Sequence, residues 1–181
     1  MTVGTAMSAH AVDWSVVPDV PRPFRVVSSH TETSDVVTLR VVPLDGGLTA
    51  FRPAQFSMIG VPGVGEVPIS ISSRCDDETA HAYTLRRAGA VTNALADVAP
   101  GGIVTVRGPF GVPWDIERCH SRHALFIAGG IGLAPLRAAV EEVASLPPSD
   151  RPGISVLAGA RDPANMLYRP WLADLMELGV D

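Results

Sequence analysis

The segment LFIAGGIGLAP, residues 125–135, holds the residue types and spacing that point most directly to chemistry. An apolar run ends in Gly129-Gly130-Ile131-Gly132, and a helix-length stretch opens near Leu133. Glycines permit a sharp turn and let a ligand come close to the backbone, because no Cβ intervenes. A helix start adds unpaired N–H groups and partial positive charge, which together suit a pair of phosphates. Pro135 fits the first helical turn, where its missing N–H costs little. Two readings of this turn stand side by side: a phosphate cradle for a dinucleotide, and a ligand-free strand-to-helix connection. The spacing is not G-x-G-x-x-G, because Leu133-Ala134-Pro135 follows Gly132, and no acidic residue at the expected distance clearly marks a ribose contact.

A second stretch, GEVPISIS over residues 65–72, places Pro68 in a run of Val, Ile and Ser. Proline in a sheet belongs at an edge or an opening, where no donor is required. Ile69 and Ile71 alternate with Ser70 and Ser72, so an extended chain directs the two pairs to opposite faces. Taken alone, this is an edge strand with core-facing isoleucines. Further on, Gly89, Val91 and Thr92 form a tight turn and a helix start, with Thr92 as the expected cap. In the strand before it, Tyr83 and Leu85 share one face, and Thr84 and Arg86 the other. Arg161, two residues past Gly159, is placed either to reach a phosphate or ribose or to lie in solvent.

No Ser-His-Asp or Cys-His arrangement is evident. The five histidines are scattered, so neither a catalytic residue nor a metal ligand is assigned. Two cysteines, Cys75 and Cys119, are too few for a Cys-only zinc or iron–sulfur site. Reduced thiols in a cytoplasmic protein are the expectation. Cys75 follows the GEVPISIS strand closely, and an inert thiol is preferred there to a redox role.

These residues need elements to position them. Phe24–Ser29, Val36–Val42, Gln55–Val61, Val67–Ser73, Ala82–Arg87 and Ile103–Gly108 read as short strands separated by turn signals such as Asp45-Gly46-Gly47 and Pro100-Gly101-Gly102. Six short strands at this spacing predict a small antiparallel barrel or sandwich, with a helical turn or two over Val91–Val98. The texture changes after Trp114. His123–Ala128 and Ile154–Ala158 are short apolar runs, and Leu133–Leu146 and Leu167–Leu178 are of helix length. Strand, helix, strand, helix predicts a parallel sheet with crossover helices covering both faces. Two parallel strands make a poor sheet with open edges, so this second unit reads as incomplete at Asp181.

The boundaries expected are an N-terminal arm over 1–21, a β unit over 22–110, a linker over 111–121 and an α/β unit over 122–181. The 181 residues are 46% hydrophobic, enough for one large core or two small ones. A net charge of −5 supplies no broad basic field, so neither nucleic acid nor anionic lipid is an expected partner. No uninterrupted apolar run reaches membrane-spanning length, and no secretory signal is apparent. All 14 basic residues are arginine, which reads as compositional bias.

Three segments line up in order: VPISIS, RRAGAVTNAL and AGGIGLAP. Together they resemble the flavin motif, the Gly-x-x-Ser/Thr motif and the pyridine-nucleotide turn of the ferredoxin–NADP reductase superfamily. RGPFG at 107–111 and GARDPANMLY at 159–168 are similar to its domain-joining segment and its second nucleotide-side loop. The likeness spans about residues 22–181 and is nearest to electron-transfer subunits: hydrogenase gamma, anaerobic sulfite reductase B and dihydroorotate dehydrogenase electron-transfer subunits.

The resemblance implies a six-stranded antiparallel flavin-binding β-barrel followed by an incomplete parallel nucleotide-binding α/β unit. It implies FAD along Pro68, Ile69, Ser70, Ile71, Leu85, Arg86, Arg87, Gly89, Val91 and Thr92, and NAD(P)H over Gly129, Gly130, Ile131, Gly132, Pro135 and Arg161. It also implies partner redox subunits, and in full-length relatives a [2Fe–2S] centre whose cysteines this chain lacks. Val67 stands where many relatives carry an arginine, and Ile69 where many carry a tyrosine, which implies weaker flavin binding. A non-catalytic scaffold and a free-standing flavin reductase are the alternatives.

Overall fold

The computed structural model describes residues 19–119, 122–147 and 150–180. The expected N-terminal arm therefore lies largely outside the described residues.

Six strands build the first part: β1 Arg22–Thr31, β2 Val36–Pro43, β3 Phe56–Val61, β4 Gly65–Ser70, β5 His81–Arg86 and β6 Ile103–Phe110. All neighbours are antiparallel, in the order β4-β3-β6-β1-β2-β5. Apolar residues at every second position supply the core. Phe24, Val26, Leu39, Val41, Ile59, Tyr83, Leu85, Val104 and Val106 are buried together, with Leu95 of helix α1 (Ala90–Ala96) closing one end.

The structure corrects two expectations. The sheet is not a closed barrel: β4 and β5 are its two edges among the described residues, and the chain just past β4 bridges to β5 at Ile71–Tyr83. The strand expected over 67–73 runs instead from Gly65 to Ser70. The reason is a change of partner. The Ile71 N–H donates to the Gln55 carbonyl (3.1 Å), and the next residue, Ser72, donates to the Ala82 carbonyl (2.8 Å), so the chain crosses from one sheet edge to the other. Pro68 lies on β4, an edge strand whose one neighbour among the described residues is β3, so its missing N–H faces no second described strand.

The second part is a two-stranded parallel sheet, β7 (Ala124–Gly129) and β8 (Ile154–Gly159), paired in register from Ala124–Ile154 to Gly129–Gly159. Helices α2 (Leu133–Ala144) and α3 (Arg169–Glu177) both pack on the face carrying Phe126 and Val156. Coverage of both faces, expected from crossover helices, is not found among the described residues. Leu125, Ile127 and Leu157 on the other face are 60%, 64% and 62% exposed.

The two parts meet along a packed seam. Val36 of β2 is buried with Leu133 and Ala134 of α2 and with Leu167 and Tyr168. Ala138 of α2 joins the core of the antiparallel sheet. No helix of the described residues is long and apolar enough to cross a membrane.

Candidate functional site

At the seam lies a cavity of about 260 Å³. Pro68, Ile69, Ser70, Thr84, Leu85 and Arg86 form one wall. Ile131, Gly132, Ala134 and Pro135 form the other. Half of the residues singled out from sequence thus line one space: Pro68, Ile69, Ser70, Leu85, Arg86, Ile131, Gly132 and Pro135. The strand end explains how Ile69 and Ser70 share it. Beyond Ser70 the pairing changes, and Ile71 and Ser72 turn into the core, 1% and 0% exposed. The Ser70 hydroxyl has no hydrogen-bond partner among the described residues, which leaves it available to a ligand.

The glycine turn is built as a 3₁₀ turn over Gly130–Gly132 between β7 and α2. Gly130 has φ +52°, a backbone that favours glycine. A Cβ placed on Gly129 or Gly132 would meet nothing within 4 Å, so no internal crowding accounts for those two glycines. The open space lies where a phosphate would approach the start of α2. Arg86 stands beside this turn: its Nη2 is 3.5 Å from the position of a Cβ on Gly130, and its Nε is 3.2 Å from Asp35 Oδ2. Arg86, ion-paired with Asp35, thus brings a guanidinium from strand β5 to the side of the glycine turn.

The other sequence candidates sit elsewhere. Arg87 turns to the far end of α1, donating to the Ala96 carbonyl (3.2 Å) and pairing with Asp97 (2.7 Å). It neutralises the negative end of that helix rather than facing the cavity. The cap of α1 is Gly89, not Thr92, which corrects the sequence expectation. Thr92 occupies the third helical position, and its Oγ1 reaches back to accept from the N–H groups of Ala88 and Gly89 (3.0 Å each). Val91 packs partly buried against the core, and Arg161 is exposed beyond β8.

Thr84 and Ala134 line the cavity but were not among the sequence candidates. Strand parity put Thr84 on the face shared with Arg86, and that was the available signal. Ala134 carried none beyond its place between Gly132 and Pro135.

Other reactive side chains are quiet. Burial, first, and the neighbouring Glu142 push the Cys75 thiol up to about 12, so the protonated form prevails at neutral pH. Burial raises the Tyr83 hydroxyl as well, and it donates to Ser57 Oγ at 2.9 Å. Glu66 forms a paired contact with Arg107, whose Nε lies 2.9 Å from Glu66 Oε1, and its carboxyl is held below the usual range chiefly by that hydrogen bond. No cluster of three or more His, Cys, Asp or Glu able to hold a metal occurs among the described residues.

This arrangement is the ferredoxin–NADP reductase-like fold. Phthalate dioxygenase reductase superimposes with a TM-score of 0.78 over 90% of this chain and 51% of its own, at 16% identity. Ferredoxin-NADP+ reductase from Plasmodium falciparum does so with a TM-score of 0.74 over 89% of this chain and 69% of its own, also at 16% identity. Among sequence relatives, the sulfhydrogenase 1 gamma subunit of Pyrococcus furiosus is 42% identical over 87 residues, 48% of this chain and 30% of that protein. A probable dihydroorotate dehydrogenase B (NAD(+)) electron transfer subunit of Methanopyrus kandleri is 36% identical over 123 residues, 68% of this chain and 44% of its own length. The match thus spans less than half of either relative. No protein-family model matches the chain.

Proposed function

We propose that this chain is a flavin-binding electron-transfer component that moves electrons between NAD(P)H and a partner redox subunit. The observation that carries the reading is the cavity at the seam, walled by Pro68-Ile69-Ser70 on one side and Ile131-Gly132 with Pro135 on the other. At about 260 Å³ it lies just below the roughly 300–1,000 Å³ of ordinary small-molecule pockets. That suits one end of each of two ligands, with their remaining parts lying on the protein surface.

The residues present fit such ligands. The Ser70 hydroxyl and the open side of β4 offer hydrogen bonds to a planar polar ring. Ile69 offers an aliphatic surface for its face. The space over Gly129 and Gly132, with Arg86 beside Gly130, suits a pyrophosphate. A bound flavin supplies the link between two-electron hydride chemistry and single-electron transfer. The chain supplies position and a guanidinium, that of Arg86, beside the phosphates. The names of the relatives, hydrogenase gamma and dihydroorotate dehydrogenase electron-transfer subunits, support partner redox subunits here.

Purified protein is expected to be yellow, with flavin released on denaturation, and to bleach with NADH or NADPH under anaerobic conditions. Flavin is expected to dissociate during dilution, because Val67 offers no charge and Arg86, Arg87 and Arg107 are each engaged with a carboxylate, of Asp35, Asp97 and Glu66. The same engagement favours a second reading, a scaffold that binds no flavin. A preparation that stays colourless under excess FAD supports the scaffold and rejects the reductase.

A further inference from the structure

A tyrosine returns to the seam behind both cavity walls. Tyr168 precedes α3 with φ 53° and ψ 37°, left-handed values uncommon for a bulky side chain. Such a backbone persists where the surroundings over-determine it. Those surroundings are specific. The ring is buried with Val36 of β2 and with Leu133 and Ala134, which directly follow the glycine turn. The Arg137 guanidinium carbon lies 4.9 Å from the ring centroid, and Trp171 meets the ring edge-on at 5.8 Å.

The hydroxyl of Tyr168 crosses to the antiparallel sheet and donates to Thr84 Oγ1. Donor counting orients the remaining bonds of this network. Thr38 gives its proton to Glu32 Oε1 at 2.7 Å, so Thr84 is the donor in the 2.8 Å Thr38–Thr84 contact. Thr84 then accepts from Tyr168, while the neighbouring Ser72 hydroxyl, 3.0 Å from Thr84 Oγ1, gives its proton to the Ala82 carbonyl at 3.2 Å. The chain Tyr168 to Thr84 to Thr38 to Glu32 runs one way and ends on a carboxylate. Aligned hydrogen bonds of this kind reinforce one another in a buried setting.

Thr84 lines the cavity from the sheet side and Ala134 from the glycine-turn side. Tyr168 bonds to the first and packs with the second. We propose that Tyr168 is a positioning residue that sets the spacing between the two walls, and through it the approach of nicotinamide to flavin. This rests on the reductase reading above. Hydride transfer needs reacting atoms about 3–3.5 Å apart, and a displacement of about 1 Å costs on the order of 100-fold in rate.

Tyr168→Phe keeps the ring and its packing and removes only the hydroxyl. With the chain charged with FAD, this variant is expected to retain its flavin and its KM for NADH or NADPH. Its limiting rate of flavin reduction is expected to fall at least about tenfold. Thr84→Val is expected to show the same loss, and the double variant to be no slower than the slower single one, because the two groups form one contact. In the flavin-free protein, Tyr168→Phe is expected to speed amide exchange at residues 131–134. Wild-type reduction rate together with wild-type exchange at those residues overturns the proposal, as does a loss confined to melting temperature. A wild-type chain that binds no flavin rejects the reductase reading, and the exchange measurement then decides whether Tyr168 fixes the wall.

Discussion

The two halves of the chain bury their apolar residues in different ways. The antiparallel sheet wraps around its own core: Val26, Leu39, Val41, Ile59, Leu95 and Val104 are each 0% exposed. The parallel pair β7–β8 buries one face under α2 and α3, while Leu125, Ile127 and Leu157 stand open on the other. The seam between the halves carries the candidate site. The sheet supplies most of its own core, which Ala138 of α2 joins, and it backs the strand edge Pro68–Ser70, whereas the glycine turn depends on what α2 and Tyr168 hold in place. The division of labour is therefore a firm wall and a dependent wall, and substitutions on the two sides should behave unequally.

The largest effect is expected from the firm side. Leu39 pairs with Tyr83 across β2 and β5 at the centre of the sheet core. Leu39→Ala removes buried methyl groups and leaves a cavity, at a cost of about 2–5 kcal/mol. Urea unfolding measures it, and a cost under about 1 kcal/mol would mean that the sheet core repacks freely and that the contrast is unsound.

A comparable effect appears with pH. His81 lies 4% exposed among Phe24, Phe51 and Tyr83, with its Nδ1 unpartnered. Burial lowers its pKa from 6.5 to about 4, with Arg22 acting in the same direction and Thr49 and Asp77 opposing. In that window the unfolded chain binds more protons than the folded one. Stability is then complete above about 6.5 and is lost as pH falls towards about 4. At 1.36 kcal/mol per pH unit the loss amounts to roughly 3 kcal/mol. His81→Phe removes the titrating group, so its stability should be flatter than wild type between those pH values. Parallel curves for the two proteins would contradict a neutral buried histidine.

A smaller loss is expected at α1. Thr92→Ala removes the acceptor for the Ala88 and Gly89 N–H groups, at a cost of about 0.5–2 kcal/mol by analogy with helix-cap substitutions. Thr92→Ser should recover most of it in the same unfolding assay.

The elements of this fold were largely legible in the sequence, and the reason is local. Period-two patterns such as Val37-Leu39-Val41, and glycine and proline punctuation, are short-range signals. So were Pro68 at an edge and the turn at 129–132, because each follows from the geometry of one residue type. What the sequence did not disclose depends on partners distant along the chain. The exit of Ile71 from β4 needed Tyr83 on another edge, and the engagement of Arg87 at the end of α1 needed Asp97. The Tyr168–Thr84 bond joins residues 84 positions apart, and no pattern within either segment announces it. That the described residues cover only one face of β7–β8 was hidden for the same reason: the apolar run in β7 looks alike whether one face or both are buried.

The smallest effect is expected on that open face, where it tests the comparison from the opposite direction. Ile127 is 64% exposed, so most of its side chain is already in water in the folded state. Ile127→Thr keeps the β-branched shape that suits a strand and removes little buried surface. Its effect on unfolding free energy should stay within about 0.5 kcal/mol, as for ordinary surface positions. Leu39→Ala in the same assay sets the scale. A loss of more than about 1 kcal/mol for Ile127→Thr would mean that the face is covered in solution. If that loss also grew with protein concentration, the cover would be a second copy of the chain, because association couples measured stability to concentration. The dependent wall would then rest on assembly as well as on Tyr168.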